Sequence, residues 1–184
     1  TGTVSAMHGG YQYVSSGGAG TVSAMHGGYQ NGRSGGTGTV STMSGGRQTV
    51  HDGGSGMVET MSSGTQTVNE GGTGTVSAMH GGYQYVSSGG TGTVNTMSDG
   101  LQYVFGTGTV TTMSGGQQYI KDGGTGTVSA MSGGTQTVSS GGIGTVSSLQ
   151  SGGTQIVYNG GTSLNTHVMS GGMIKEEGNG GTVT

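Results

Sequence analysis

Apolar residues are sparse in this chain, but they recur at a fixed interval. Val4, Val22, Val40, Val58, Val76, Val94, Val110, Val128 and Val146 form one series. Val14, Val50, Val68, Val86, Val104, Ile120 and Val138 form a second, interrupted by Gly32. Met7, Met25, Met43, Met61, Met79, Met97, Met113, Met131 and Leu149 form a third. The common interval is 18 residues, and the unit reads T-G-T-V-S-A-M-S-G-G-x-Q-x-V-x-x-G-G. Copies begin at Thr1, Ala19, Thr37, Ser55, Thr73, Thr91, Thr107, Thr125, Ile143 and Thr162. The sixth is two residues short, the ninth one long and the tenth degenerate, whereas Thr1–Gly18 and Thr73–Gly90 are identical. Within each unit, residues suited to extended backbone occur in two short runs, each ending at a Gly pair where left-handed turns cost little. Alternation along a strand puts Gly2, Val4 and Ala6 inward, with Thr1, Thr3 and Ser5 outward. The second run puts Gln12 and Val14 inward, with Tyr11, Tyr13 and Ser15 outward.

Near-identical units call for near-identical neighbours, which stacked coils supply and an antiparallel meander does not. The expected fold is therefore all-β: a single-stranded parallel β-helix, or solenoid, of about ten 18-residue coils. Right-handedness is expected from the bias of parallel crossovers. Equivalent residues then lie about 4.8 Å apart along a rod of roughly 48 Å. Gln12, Gln30, Gln48, Gln66, Gln84, Gln102, Gln118, Gln136 and Gln155 should make an amide ladder beside the Val and Met columns. Met, being unbranched, fits beside a corner where strict alternation breaks.

Composition explains why such a fold is needed. Of 184 residues, 48 are Gly, 27% are hydrophobic and only 6% are charged. An ordinary globular core draws on far more apolar sequence. Disordered chains this polar usually carry high charge or much Pro, but here the net charge is −3 and Pro is absent. The four Lys and Arg argue against nucleic acid or an anionic membrane as partner. Cys is absent and no apolar run could span a bilayer. The first residues already belong to a repeat, so the expectation is a segment of a longer protein, with export signal and anchor elsewhere.

Candidate chemistry lies in the exposed positions. The seven acids, Asp52, Glu59, Glu70, Asp99, Asp122, Glu176 and Glu177, are read as single residues in different registers. They offer no paired carboxylates for glycoside chemistry, so no enzyme, no cofactor and no metal site is expected. His8 and His26 share a register in adjacent coils and could hold a divalent ion; solvated surface histidines are the plainer reading. Outward Tyr11, Tyr13, Tyr29, Tyr83, Tyr85, Tyr103 and Tyr119 make a strip suited to a wet, adhesive interface. Outward Thr pairs such as Thr73/Thr75 and Thr91/Thr93 leave ice binding, or a purely structural solenoid, as the alternative.

The combination of Ser132–Val138, Tyr85–Gly90 and Ser44-Gly45-Gly46 resembles the AIDA/TibA group of self-associating autotransporter adhesin passenger domains, the antigen-43-like repeats included. Within the group the likeness is greatest to the TibA-type adhesin/invasin branch, and it covers residues 1–184. It implies a right-handed β-helical passenger acting in adhesion, autoaggregation and biofilm formation at the bacterial surface, or in secreted form. The signal peptide and translocator barrel would lie outside this segment. The implied partners are another copy of itself, a host cell surface, its own outer-membrane translocator barrel and a heptosyltransferase that attaches O-linked heptose to Ser. The matching acceptors are Ser16, Ser34, Ser44, Ser88, Ser114, Ser132, Ser140, Ser151 and Ser170. The copies with His8, His26 and His80 lack that Ser.

Overall fold

The computed structural model describes residues 1–15, 17–178 and 180–184. It contains 19 strands and, among the described residues, no helix. Every strand pairing is parallel, and each strand pairs with its counterpart one repeat away: Gly20 with Gly38, Val22 with Val40, Met25 with Met43, Gln30 with Gln48. The stacked-coil reading of the sequence is thus the observed architecture, a parallel β-solenoid of about ten turns. In most coils a six- or seven-residue first strand (Thr37–Met43) is followed by a four-residue second strand (Arg47–Val50). In coils five and six the pairing runs on through the corner, giving continuous strands Thr73–Val86 and Thr91–Val104, while Gly82 and Gly100 keep the left-handed φ of the other corners, 83° and 95°.

The interior is a set of columns. The Val22–Val146 and Met7–Leu149 series form one continuous apolar cluster, and Ile120, Val138 and Val157 form a second. Between them runs the amide ladder. Gln30 Nε2 donates to Gln12 Oε1 at 2.7 Å, Gln48 to Gln30 at 2.7 Å, and so on up to Gln155, which donates to Gln136 at 2.6 Å. All the amides point the same way, so each bond polarises the next. Ladder residues from Gln30 to Gln155 are at most 1% exposed. The described residues contain no buried side-chain polar atom lacking a partner.

Alternation fails at one place. Ala6 and its counterparts are not inward: Ala6 is exposed and Ala24 half-buried, while Met25 is fully buried. Val22 and Met25 are three apart and both inside, so the chain changes face between them and turns Met toward the core as it nears the corner. The inward Gly column is dictated by the facing strand. A side chain at Gly56 would overlap Val50 Cγ2 and come within 2.8 Å of Gln48 Oε1. At Gly32, where the second Val series is interrupted, a Cβ would meet nothing nearer than 3.5 Å. A void lies there.

The corners use their two glycines differently. Gly46 has φ 79°, which favours Gly. Gly45 has ordinary φ, but any side chain there would run into the carbonyl oxygen of His26 in the coil below. The short sixth copy loses its residues at the second corner. Phe105-Gly106 replaces the four-residue Ser87–Gly90 turn, with Phe105 N–H bonded to Val86 O at 2.8 Å. Above this gap Gly123 has nothing within 4 Å of its Cβ position. At the other end, Ser163 takes the inward Gly register opposite Gly144, and Ile174 replaces Gln opposite Gln155. Ser163 Oγ and Thr166 Oγ1 both donate to Gln155 Oε1, at 2.8 and 3.1 Å, and so close the ladder.

Candidate functional surfaces

The solenoid brings residues 18 apart into contact along its axis, so any surface chemistry is built as columns. The Tyr residues occupy two adjacent columns on the second strands and fall into two patches. Near the N-terminal end, Tyr11 stacks on Tyr29 at 5.1 Å between ring centroids and lies 6.0 Å from Tyr13. In coils five to seven, Tyr85 stacks on Tyr103 at 4.9 Å and Tyr103 on Tyr119 at 5.2 Å, with Tyr83 beside Tyr85 at 6.0 Å. Arg47, Thr49, Thr65 and Thr67 separate the patches. Rings stacked along the axis cover one another's faces and turn their edges and hydroxyls outward. The patch therefore offers hydrogen bonds and narrow apolar edges rather than open ring faces. Lys121 Nζ sits 5.2 Å from the Tyr119 centroid and extends the second patch. Tyr103 is held above the ordinary tyrosine value of 10.0, first by burial and then by Tyr85, Tyr119 and Tyr83, whose phenolates would repel its own.

The serines lie on two edges. Ser44, Ser114 and Ser132 stand at the first corner, just after the buried Met column, and Ser151 and Ser170 at the corresponding corner of the last coils; all five are exposed. Ser34, Ser88 and Ser140 stand at the second corner and are also exposed, Ser34 with φ 48°. Ser16 lies outside the described residues. At the first corner Ser44 Oγ bonds Met25 O at 3.5 Å and Ser114 Oγ bonds Met97 O at 3.5 Å.

Histidines share that first-corner column. His8 and His26 are stacked with centroids 4.9 Å apart. His26 Nδ1 hydrogen-bonds Ser44 Oγ at 2.8 Å, and His80 Nδ1 bonds Ser98 Oγ at 2.8 Å. Among the described residues no group of three or more His, Cys, Asp or Glu could hold a metal ion. At the second corner the reading of the acids needs correcting. Asp52 and Glu70 are not in different registers: a Cβ on Gly71 would overlap Asp52, and one on Gly89 would approach Glu70, so the two carboxylates head the same corner in adjacent coils. The signal was available, since 52 and 70 differ by one repeat. His51 on this edge is held below the ordinary 6.5 by burial and by the nearby Arg33 charge, and Asn69 Nδ2 donates to its Nδ1 at 3.1 Å.

On the first strands, Thr73/Thr75, Thr91/Thr93, Thr107/Thr109 and Thr125/Thr127 stand in register over four consecutive coils. Below them the array is broken by Ser55/Met57, with Met57 exposed, and above them by exposed Ile143.

No protein-family description and no curated sequence matches the chain. Among solved structures, it is similar to the TibC-catalyzed hyper-glycosylated fragment of TibA. The TM-score is 0.65 and the identity 30%, over 99% of this chain and 84% of that one. The shared coil, extending over nearly all of this chain and most of that one at that identity, places this protein in the TibA-like family of β-solenoids.

Proposed function

We propose that the chain is the passenger segment of a bacterial surface adhesin/invasin that mediates adhesion, autoaggregation and biofilm formation. On this reading it is displayed at the outer membrane through its own translocator barrel, or is secreted. Its partners are another copy of itself and a host cell surface. A dedicated heptosyltransferase of the TibC kind modifies it with O-linked heptose on Ser at the coil corners. The observation that carries this reading is the likeness to a hyper-glycosylated TibA fragment, combined with exposed Ser at the corners. A long rod presenting repeated weak contacts gains avidity without any single strong site, and the Tyr patches supply such contacts.

Coexpression with the heptosyltransferase followed by intact-mass spectrometry tests the modification. The expected spectrum is shifted by whole heptose increments; an unshifted mass rejects it. For self-association, replacing Tyr83, Tyr85, Tyr103 and Tyr119 by Ser should reduce clumping of cells displaying the chain while the circular dichroism of the solenoid is kept. Unchanged clumping with a folded variant removes these residues from the interface.

A second reading is favoured by one observation, the in-register Thr pairs of coils five to eight. They make a flat, periodic hydroxyl and methyl surface suited to ordered water. Arrest of ice-crystal growth by the purified chain, lost on Thr93→Tyr and Thr109→Tyr, would support it; ordinary crystal growth would end it.

A further inference from the structure

Resting on the glycosylation reading above, we infer that the sugar acceptor at the first corner is a structural register rather than the string Ser-Gly-Gly. Ser62 and Ser98 are then acceptor sites alongside Ser44, Ser114 and Ser132. The string breaks at both positions, which read Ser62-Ser63-Gly64 and Ser98-Asp99-Gly100. The local geometry does not break. Ser62 Oγ bonds Met43 O and Ser98 Oγ bonds Met79 O, each at 3.4 Å, the same contact that Ser44 and Ser114 make at 3.5 Å. Ser62 and Ser98 are exposed like the other three, and each directly follows a fully buried Met.

The glycines of the string have a separate cause. A side chain at Gly115 would collide with Ser98 O, and one at Gly133 with Ser114 O, because the coil below passes directly beneath the residue after the serine. The last glycine answers to its left-handed backbone: Gly64 has φ 91° and Gly100 φ 95°, as Gly116 has φ 77°. Stacking and turn geometry thus favour both glycines, although the first gives way to a side chain at Ser63 and at Asp99. What remains for an enzyme to recognise is an outward hydroxyl anchored on the carbonyl of the Met in the coil below. Where Asp99 departs from Gly, the pairing of coils five and six shifts register around it, which makes room for the side chain and leaves the Ser98 contact in place.

In the transfer itself, Ser Oγ bonds to the anomeric carbon of a nucleotide-diphosphate heptose. The bond from that carbon to the diphosphate oxygen breaks, the nucleotide diphosphate leaves with the bonding electrons, and the hydroxyl proton passes to a base of the transferase.

The test is coexpression of the full chain with TibC, then digestion and site mapping by electron-transfer fragmentation. Intact masses of Ser62→Ala and Ser98→Ala are measured in parallel. The expected result is heptose on Ser62 and Ser98 as well as on Ser114 and Ser132, with each variant lighter by one heptose. Heptose on Ser114 and Ser132 with Ser62 and Ser98 bare overturns the register rule and leaves the glycosylation reading intact. A chain with no sugar anywhere overturns both.

Discussion

Replacing Gln84 by Leu tests whether the amide ladder holds the coils together. Gln84 is fully buried. Its Nε2 donates to Gln66 Oε1 at 2.7 Å, and its Oε1 accepts from Gln102 Nε2 at 2.6 Å. Leu has similar bulk, so packing is nearly kept while Gln66 and Gln102 lose a partner, and Gly74 O and Thr93 O lose longer bonds of 3.4 and 3.3 Å. Gln102 Nε2 retains a longer bond to Gly92 O at 3.4 Å. Gln66 Oε1 keeps no donor and no route to water. An orphaned buried acceptor costs about 1–3 kcal/mol and a weakened bond about 1 kcal/mol, so Gln84→Leu should cost roughly 2–4 kcal/mol. Gln12→Leu at the half-exposed end orphans no buried group, because the acceptor it serves, Gly2 O, is exposed and the donor Gln30 Nε2 still reaches Gly20 O and Thr39 O; it should cost about 1 kcal/mol or less. Gln84→Glu adds a pH signature. A buried carboxylate facing Gln66 Oε1 has its pKa raised in the folded state. The stabilisation is then present in full below the unfolded value of about 4.3 and is lost as pH rises through the folded pKa. Urea titrations followed by circular dichroism give the midpoints. Equal costs for Gln84→Leu and Gln12→Leu, or a Glu variant that gains nothing in acid, would refute a ladder that depends on its buried donors.

Gly32→Val should stabilise the solenoid by about 2 kcal/mol by completing the second Val column between Val14 and Val50. Gly56→Val should destabilise it by about 1–3 kcal/mol or more through overlap with Val50; thermal melts of the pair would show opposite shifts. His51, with its pKa lowered in the fold, contributes stability that is present above the unfolded value near 6.5 and lost as pH falls below it. A His51→Gln variant should flatten the fall in stability as pH drops below about 6.5 in denaturant titrations. Tyr103, with its pKa raised, contributes stability that is present below 10.0 and lost as pH rises through its folded value. Phe at 103 should therefore blunt the alkaline fall of the melting temperature.

The 18-residue period by itself determined the strand pairing, the inward Val and Gln columns and the placing of Met beside the first corner. In a solenoid each residue's long-range neighbours are the same residue one repeat away, so sequence spacing translates directly into contact. The tertiary structure alone decided whatever depends on how one coil is cut in cross-section or how the stack ends. The change of face between Val22 and Met25 leaves Ala24 half-buried outside the core, because two inward residues three apart cannot lie on one alternating strand. Ser163 and Thr166 close the ladder where the repeat degenerates and spacing carries no information. Ser62 and Ser98 share the contact that Ser44 and Ser114 make with a Met carbonyl one coil below. A motif read along the chain follows covalent neighbours, whereas these groupings are made by the coil above and the coil below.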